Sequence, residues 1–260
     1  MISELVTDYL RLLVAPNPGP MTLDGTNTWI VGDPSLAPPA VVDPGPLDDY
    51  HLSAILSACR GEIAMIILTH SHVDHAEAAA ELAGRAECDV RAADPALRIG
   101  RHGLLDRDAL LLGGVGFEVF ATPGHTSDSC SLLLRGEDDN VSRLLTGDMV
   151  LGRGTTVITH PDGNLADYFD SLDLMSELVD SYEVVELLPG HGPRVRDPAA
   201  CLDYYRTHRL ERLEQVREAL AAGADTAPDV VARVYADVDP VLWPAAEESV
   251  RAQLDYLARE

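Results

Sequence analysis

The stretch Ile63-Ala64-Met65-Ile66-Ile67-Leu68-Thr69-His70-Ser71-His72-Val73-Asp74-His75 decides how this chain is read. Its first six residues are apolar and rich in branched side chains. They are bounded by Gly61-Glu62 and by polar residues, which is the signature of a short buried strand. Three histidines and an aspartate follow at once. A histidine pair at i and i+2 on the turn leaving such a strand can present both imidazoles to one side, while Asp74 and His75 address a neighbouring spot. Imidazole and carboxylate together suit zinc, iron or manganese. The expectation is a pair of metal ions at the C-terminal edge of a sheet, where α/β proteins place their chemistry.

Three later positions repeat the design of an apolar strand followed by a glycine-flanked ligand type. They are His125 after Pro123-Gly124, Asp148 after Thr146-Gly147, and His191 after Pro189-Gly190. Small neighbours let backbone and metal approach closely. The ordered set His70, His72, Asp74, His75, His125, Asp148 and His191 resembles the ligand set of the metallo-β-lactamase superfamily. The resemblance covers about the first three-quarters of the chain.

That resemblance implies an α/β fold, a four-layered αββα sandwich, with a small C-terminal helical domain. It implies a dinuclear centre in which His70, His72 and His125 hold one metal, Asp74, His75 and His191 hold the other, and Asp148 bridges them. Two Zn2+ per chain are expected, with Mn2+ or Fe2+ compatible with the same ligands. Two ions ~3.5–4 Å apart can share one water and bring it to a pKa near ~7. The implied chemistry is attack by that hydroxide on an ester, thioester or lactone carbonyl, with Asp74 as the catalytic residue that holds or accepts the nucleophile's proton. Histidine at 72, where flavodiiron relatives carry glutamate, favours hydrolysis over reduction of oxygen or nitric oxide. After His75 the usual glycine pair is replaced by Glu77-Ala78, next to the ligands rather than among them.

Further segments narrow the branch. Asn17 to Trp29, Gly152-Arg153-Gly154-Thr155-Thr156-Val157 and Tyr205-Arg206-Thr207-His208-Arg209 resemble the β-lactamase-like protein 2 group. Members of that group resemble metal-dependent endoribonucleases on single strands, and fungal relatives with a similar entry segment are thioesterases acting on carrier-bound acyl chains. The group carries a winged-helix-like appendage. Here the pattern changes near Pro198, which divides the chain into a catalytic domain over 1–197 and a helical appendage over 198–260. The last helix runs to the final residues, so the appendage is expected without a full β-wing.

Composition bears on the substrate. Apolar content of 46% and charged content of 24% are ordinary for a globular protein, but the net charge is −24. All 19 basic residues are arginine. An acidic chain repels polyanions at long range, and residues 198–260 hold 7 arginines against 12 acids, a poor nucleic-acid platform. Aromatics for base stacking are only 5% of the chain. A small-molecule or carrier-bound acyl substrate therefore leads, and single-stranded RNA is the alternative. A mononuclear iron dioxygenase and a metal-binding protein without turnover are two further readings. Cys59, Cys88, Cys130 and Cys201 are scattered and form no C-x-x-C pair, so reduced thiols are expected. No basic leader opens the chain and no apolar run approaches the ~20 residues of a membrane helix, so a cytoplasmic protein without membrane contact is expected. Monomer and dimer are both open.

Hydrophobic periodicity predicts strands over 9–15, 28–31, 40–43, 63–68, 115–121, 131–134, 143–145 and 184–188. A hairpin turn is expected over 136–140. Helices are predicted over 47–58, 76–83, 165–179, 202–222, 229–236 and 245–258. Thr155, Thr156, His160 and His208 are candidate substrate-binding residues. Asn27 and Thr126 are candidates to hydrogen-bond the ligands from behind. Arg153, Arg194, Arg196 and Arg209 are expected near the mouth of the site, and His51 and His102 at the surface. Leu202, Tyr205, Leu210, Leu213, Val216 and Leu220 form the stripe that should pack the appendage onto the core.

Overall fold

The computed structural model describes residues 2–136 and 141–260. The first half of the chain forms one sheet, in the spatial order β1 (Ser3–Thr7), β2 (Leu10–Val14), β3 (Asn27–Val31), β4 (Ala40–Val42), β5 (Met65–Ile67) and β6 (Asp89–Arg91). β1 to β4 pair antiparallel, and β4, β5 and β6 run parallel. A second sheet holds β7 (Ala109–Leu112), β8 (Val115–Ala121), β9 (Cys130–Gly136), β10 (Ser142–Gly147) and β11 (Glu186–Pro189), in the reverse order from β11 to β7. Only β10 and β11 are parallel in it.

Strands covered on both faces are apolar on both faces. β4 and β5 obey this: Val42 and Ile67 enter the layer between the sheets, and Val41 and Ile66 face the helices. Between the sheets, Trp29 and Val31 meet Phe117, Leu132, Leu145 and Leu188. Outside the first sheet lie α1 (Asp49–Ala58), α2 (Val73–Ala76) and α3 (Ala79–Ala86). Leu52 and Ile55 of α1 and Leu82 of α3 pack there on Ile30, Val41 and Ile66. α4 (Leu165–Ser181) covers the second sheet, setting Tyr168, Leu172 and Met175 against Phe120, Leu133 and Leu144. The result is the expected αββα order. Asn164 caps α4 by accepting from the Ala166 and Asp167 amides, a contact worth about 1 kcal/mol. The Glu77-Ala78 departure is absorbed locally: Ala78 is buried, and the Glu77 carboxylate accepts the Leu47 amide at 3.0 Å.

α5 (Pro198–Ala221), α6 (Ala227–Val234) and α7 (Trp243–Leu257) complete the chain. The first two-thirds of α5 belong to the core under α4 through Leu202, Tyr205 and Leu213. Its last third joins α6 and α7 in a separate core of Val216, Ala219, Val230, Val231 and Val250. Leu220 packs at that core's edge, but Leu210 is 49% exposed and leaves the predicted stripe. β1, β6 and β7 were not predicted. They are short and half exposed, with no clean alternation to betray them. The expected turn over 136–140 falls, from 137 onward, outside the described residues. His102 is exposed as predicted, whereas His51 is a correction: it is fully buried, with Nε2 2.9 Å from the Thr28 hydroxyl.

Candidate metal centre

All seven predicted ligand residues converge where strands of both sheets end. His70 leaves β5, and His72, Asp74 and His75 follow through the short α2. His125 lies between β8 and β9, and Asp148 and His191 lie just beyond β10 and β11. Three overlapping groups each bring one ligand atom per residue within 4.8 Å of the others: His70, His72 and His125; His70, His75 and Asp148; Asp74, His75 and His191.

The hydrogen bonds behind the rings fix which nitrogen faces the centre. Nδ1 of His125 lies 2.7 Å from the Val157 carbonyl and Nδ1 of His191 lies 3.1 Å from the Gly25 carbonyl. Carbonyl oxygens only accept, so each Nδ1 carries a proton and each Nε2 is the nitrogen turned towards the centre. Nδ1 of His75 donates likewise to the Asp43 carboxylate at 2.9 Å. The Thr69 hydroxyl donates to Asp43 at 2.7 Å and therefore accepts from Nδ1 of His70 at 3.0 Å. Among the described residues, Nε2 of His70 is buried with no hydrogen-bond partner, and Oδ1 of Asp148 is buried with no contact closer than the 3.4 Å ion pair to His75. Nε2 of His75 and of His191 face each other at 3.1 Å. Buried polar atoms are normally satisfied, so a cluster of inward-facing imidazole nitrogens and carboxylate oxygens fits divalent cations.

Electrostatics separate the histidines into two pairs. Burial pushes His125 down to about 4 and His70 well below its ordinary value, so both are neutral. Burial opposes charge on His75 and His191 too, but neighbouring carboxylates outweigh it. Asp148 and Asp43 raise His75, while Asp148 and Asp74 push His191 up to about 9. A cation entering here displaces those protons. Asp148 lies 3.4 Å from Nε2 of both His75 and His191 and 3.9 Å from that of His125, between the two sides of the cluster. Asp74 is 27% exposed at its side chain, and its Oδ2 lies 3.1 Å from His191.

Glycine makes this crowding feasible. A Cβ on Gly190 would sit 2.4 Å from Oδ1 of Asp148 and 2.7 Å from Cε1 of His75. Gly147 adopts φ of +49°, and a Cβ there would meet the Thr69 side chain at 2.7 Å. Asn27 holds the His191 turn from both sides, donating to the carbonyls of Pro189 at 2.9 Å and Gly192 at 2.8 Å. Thr126 bonds Asp128 and Ser129 within its own loop, and among the described residues its hydroxyl hydrogen-bonds no ligand side chain.

Residues 21–191 match the metallo-β-lactamase superfamily, and residues 226–260 match the β-lactamase-associated winged helix domain. The chain belongs to the metallo-β-lactamase superfamily. A β-lactamase-like protein 2 homolog of Drosophila melanogaster is 31% identical, over 100% of this chain and 90% of its own. An atrochrysone carboxyl ACP thioesterase of Aspergillus chevalieri is 28% identical, over 90% of this chain and 76% of its own. The crystal structure of a β-lactamase domain protein from Burkholderia ambifaria superposes with a TM-score of 0.82 at 24% identity, covering 99% of this chain and 88% of that one.

In this member of the superfamily a cavity of about 330 Å3 opens from His125 and Asp148. One side is the entry loop at Met21 and Leu23 and the loop of Thr155, Thr156 and Val157. The other is helical: His208, Arg209 and Arg212 of α5, Ala245, Ala246 and Ser249 of α7, with Tyr235, Val238 and Leu242 between α6 and α7. Thr155, Thr156 and His208, the candidate substrate-binding residues, line the cavity, and the Thr156 hydroxyl lies 3.3 Å from Nδ1 of His125. His160 does not line it. Its Nε2 lies 3.1 Å from Asp255 of α7, on the outer side of the loop. Arg153 and Arg209 line the cavity, while Arg194 pairs with Glu186 and Glu4 elsewhere and Arg196 is exposed outside the lining.

Asp43 and Tyr205 were missed as supporting residues. Asp43 is fully buried at φ of +52° and accepts from the Thr69 amide, the Thr69 hydroxyl and His75. Its only sequence signal is an aspartate closing a strand before Pro44, which reads equally as a turn. The Tyr205 hydroxyl accepts the Leu151 amide at 2.8 Å and so ties α5 to the turn after Asp148. One turn further along α5, Arg209 donates to the Thr156 carbonyl.

Proposed function

We propose that this protein is a dinuclear metal-dependent hydrolase of acyl thioesters or esters, with zinc as the resident metal. The observation that carries the reading is the cavity that joins His125 and Asp148 to a helical wall whose α7 and α6–α7 part is apolar, at Val238, Leu242, Ala245 and Ala246. Such a concave, largely apolar space suits an acyl group better than a polynucleotide, which needs an open basic groove. The superfamily is generally hydrolytic, and the fungal thioesterase relative points to the same bond type.

Bound divalent ions would supply Lewis acidity for the carbonyl and a water acidified near neutral pH. The chain's residues do the rest. His70, His72 and His125 hold one side of the centre, Asp74, His75 and His191 the other, with Asp148 between. Asp43 locks His75 and, through Thr69, His70, so the inward nitrogens need no reorientation. Asp74, the half-open carboxylate, takes the proton of the attacking water at Oδ2. The water's oxygen ends in the product carboxylate, the carbonyl–sulfur or carbonyl–oxygen bond breaks, and the proton passes to the leaving thiol or alcohol. Val157, Leu242 and Ala246 hold the acyl chain and exclude water from it.

The test is turnover of acyl N-acetylcysteamine thioesters and matching esters of increasing chain length by zinc-loaded protein. Asp148→Ala, a chelator and end-labelled single-stranded RNA complete the panel. The expected result is chelator-sensitive thioester cleavage that improves with acyl length and is lost in Asp148→Ala. Cleavage of RNA with no acyl turnover would replace this reading with the endoribonuclease. A single iron per chain would replace it with the dioxygenase.

A further inference from the structure

The cavity reverses the charge of the chain. The sequence holds 43 acids against 19 arginines, yet among the described residues Asp148 is the one acid that lines the cavity, beside Arg153, Arg209, Arg212, His125 and His208. His125 and Asp148 belong to the metal centre, and Arg153 is neutralised by two bonds to Asp24. His208, Arg209 and Arg212 remain, all on α5, with His208 and Arg212 four residues apart on one helix face.

Neither remaining arginine has a carboxylate partner among the described residues. Arg209 is 2% exposed, donates to the Thr156 carbonyl and stacks 5.1 Å from the Tyr168 ring centroid, and its Nε is buried without a partner. Arg212 donates through Nη1 to the Val234 carbonyl and to Gln215, and stacks 4.6 Å from the Tyr235 ring centroid. Nδ1 of His208 is also buried without a partner. Burial and the two arginines push His208 down to about 4, so it stands beside them as a neutral ring that can donate. A buried cation without a counter-charge and a buried ring nitrogen without a hydrogen-bond partner are costly unless a counter-group reaches them.

We propose that the cavity is a two-ended site, in which the metal centre takes the reacting acyl end and His208, Arg209 and Arg212 take a second, anionic group of the same substrate, a carboxylate or a phosphate. The inference deepens the hydrolase reading and rests on it for the identity of the first end. It narrows the substrate to acyl compounds that carry a negative charge, either at the far end of the acyl chain or on the phosphate of a carrier arm.

The test is calorimetric binding to the zinc-loaded full chain, which requires no turnover. Three matched series of increasing length are titrated: simple monocarboxylates, α,ω-dicarboxylates and ω-phosphonocarboxylates. All share the carboxylate that a metal centre accepts and differ only at the far end. At the fitting length, the second anion should tighten binding about tenfold or more, as charge-assisted hydrogen bonds to arginine do. A gain confined to dicarboxylates identifies a carboxylate, and one confined to phosphonates identifies a phosphate. Arg212→Met should shrink the gain several-fold, and Arg212→Lys should keep part of it. No gain at any length, including no binding at all, overturns the proposal, as does a full gain in Arg212→Met. Thioester turnover without an anion gain would sink this inference alone. An anion gain without acyl turnover would sink only the hydrolase reading.

Discussion

The floor of the cavity and its helical wall are built from different kinds of residue. The floor is made of side chains at the ends of strands from both sheets, and the rings of His70, His75, His125 and His191 are each held from behind by a hydrogen bond. Asp43 alone fixes Thr69 and His75, and Gly190 leaves no room for a methyl group. The wall is made of side chains on α5 and α7 and between α6 and α7, and its apolar members, Val238, Leu242 and Ala246, have no directional partner. A floor built this way should tolerate almost no substitution, because each group both faces the candidate centre or holds a residue that does and packs against its neighbours. A wall built this way can change its volume residue by residue while the core behind it stays packed. Chemistry and selectivity are therefore separable in this molecule: metal content should follow the floor, and substrate preference the wall.

The sharpest break between the two is at Asp148. Asp148→Ala removes the carboxylate shared by both sides of the cluster and should lower metal content and activity together. The loss should exceed the roughly 10–100-fold that follows loss of a residue supporting a ligand from behind. Metal analysis by mass spectrometry beside thioester turnover checks it, and full activity in the variant would remove Asp148 from the centre. Next comes Asp43→Asn, which keeps the shape and removes the charge behind His75. Metal affinity, measured by competition with a chromogenic chelator, should fall roughly 10–100-fold. An unchanged affinity would mean that the Thr69 and His75 bonds to Asp43 serve folding alone.

The wall is tested by filling it. Ala246 is buried on α7 and lines the cavity. Ala246→Phe should shut out part of a long acyl chain and leave the floor intact. Excluding two methylenes costs about 1.6 kcal/mol, or about 15-fold in kcat/KM for long acyl substrates. Acetyl substrates should be spared, and metal content should stay at its original value. Loss of metal in this variant would show that floor and wall are not separable, with the Tyr205 and Arg209 contacts to the intervening loop as the route of coupling.

The two regions also differ in how far the sequence revealed them. Metal chemistry demands particular residue types at strand ends beside small neighbours, so His70, His72, Asp74, His75, His125, Asp148 and His191 stand out as candidates, and their order carries the resemblance to the superfamily's ligand set. The wall shows no such demand. Val238 and Leu242 read as apolar residues of a proline-interrupted connection and Ala246 as the apolar side of an ordinary helix, and only tertiary packing turns them toward the metal centre. Asp43 was hidden for another reason: a carboxylate before proline is a common turn residue, and its burial depends on Thr69 and His75, which lie more than twenty positions away. His51 was misplaced at the surface because helix α1 sets its ring against Thr28 of β3, a contact between distant segments. The edge strands β1 and β7 and the short β6 escaped because half-exposed backbone pairing leaves little trace in hydrophobic pattern.

His160 gives the smallest expected effect and the finest test of where the site ends. Its sequence setting, on a loop beside Pro161-Asp162-Gly163, resembles that of the residues that do reach the cavity. Yet the loop reverses between Val157, which lines the cavity and accepts from His125, and His160, whose ring turns to Asp255 of α7. Asp255 is 62% exposed at its side chain, so the contact is screened by solvent and belongs to the class of pairs worth about 0–1 kcal/mol. His160→Ala should therefore change stability by no more than about 0.5 kcal/mol, as for surface substitutions generally, and leave kcat/KM and metal content unaltered. A denaturation midpoint with parallel thioester assays checks both. A selective rise in KM with normal stability would extend the wall to the outer side of this loop and move the boundary of the site from Val157 to His160.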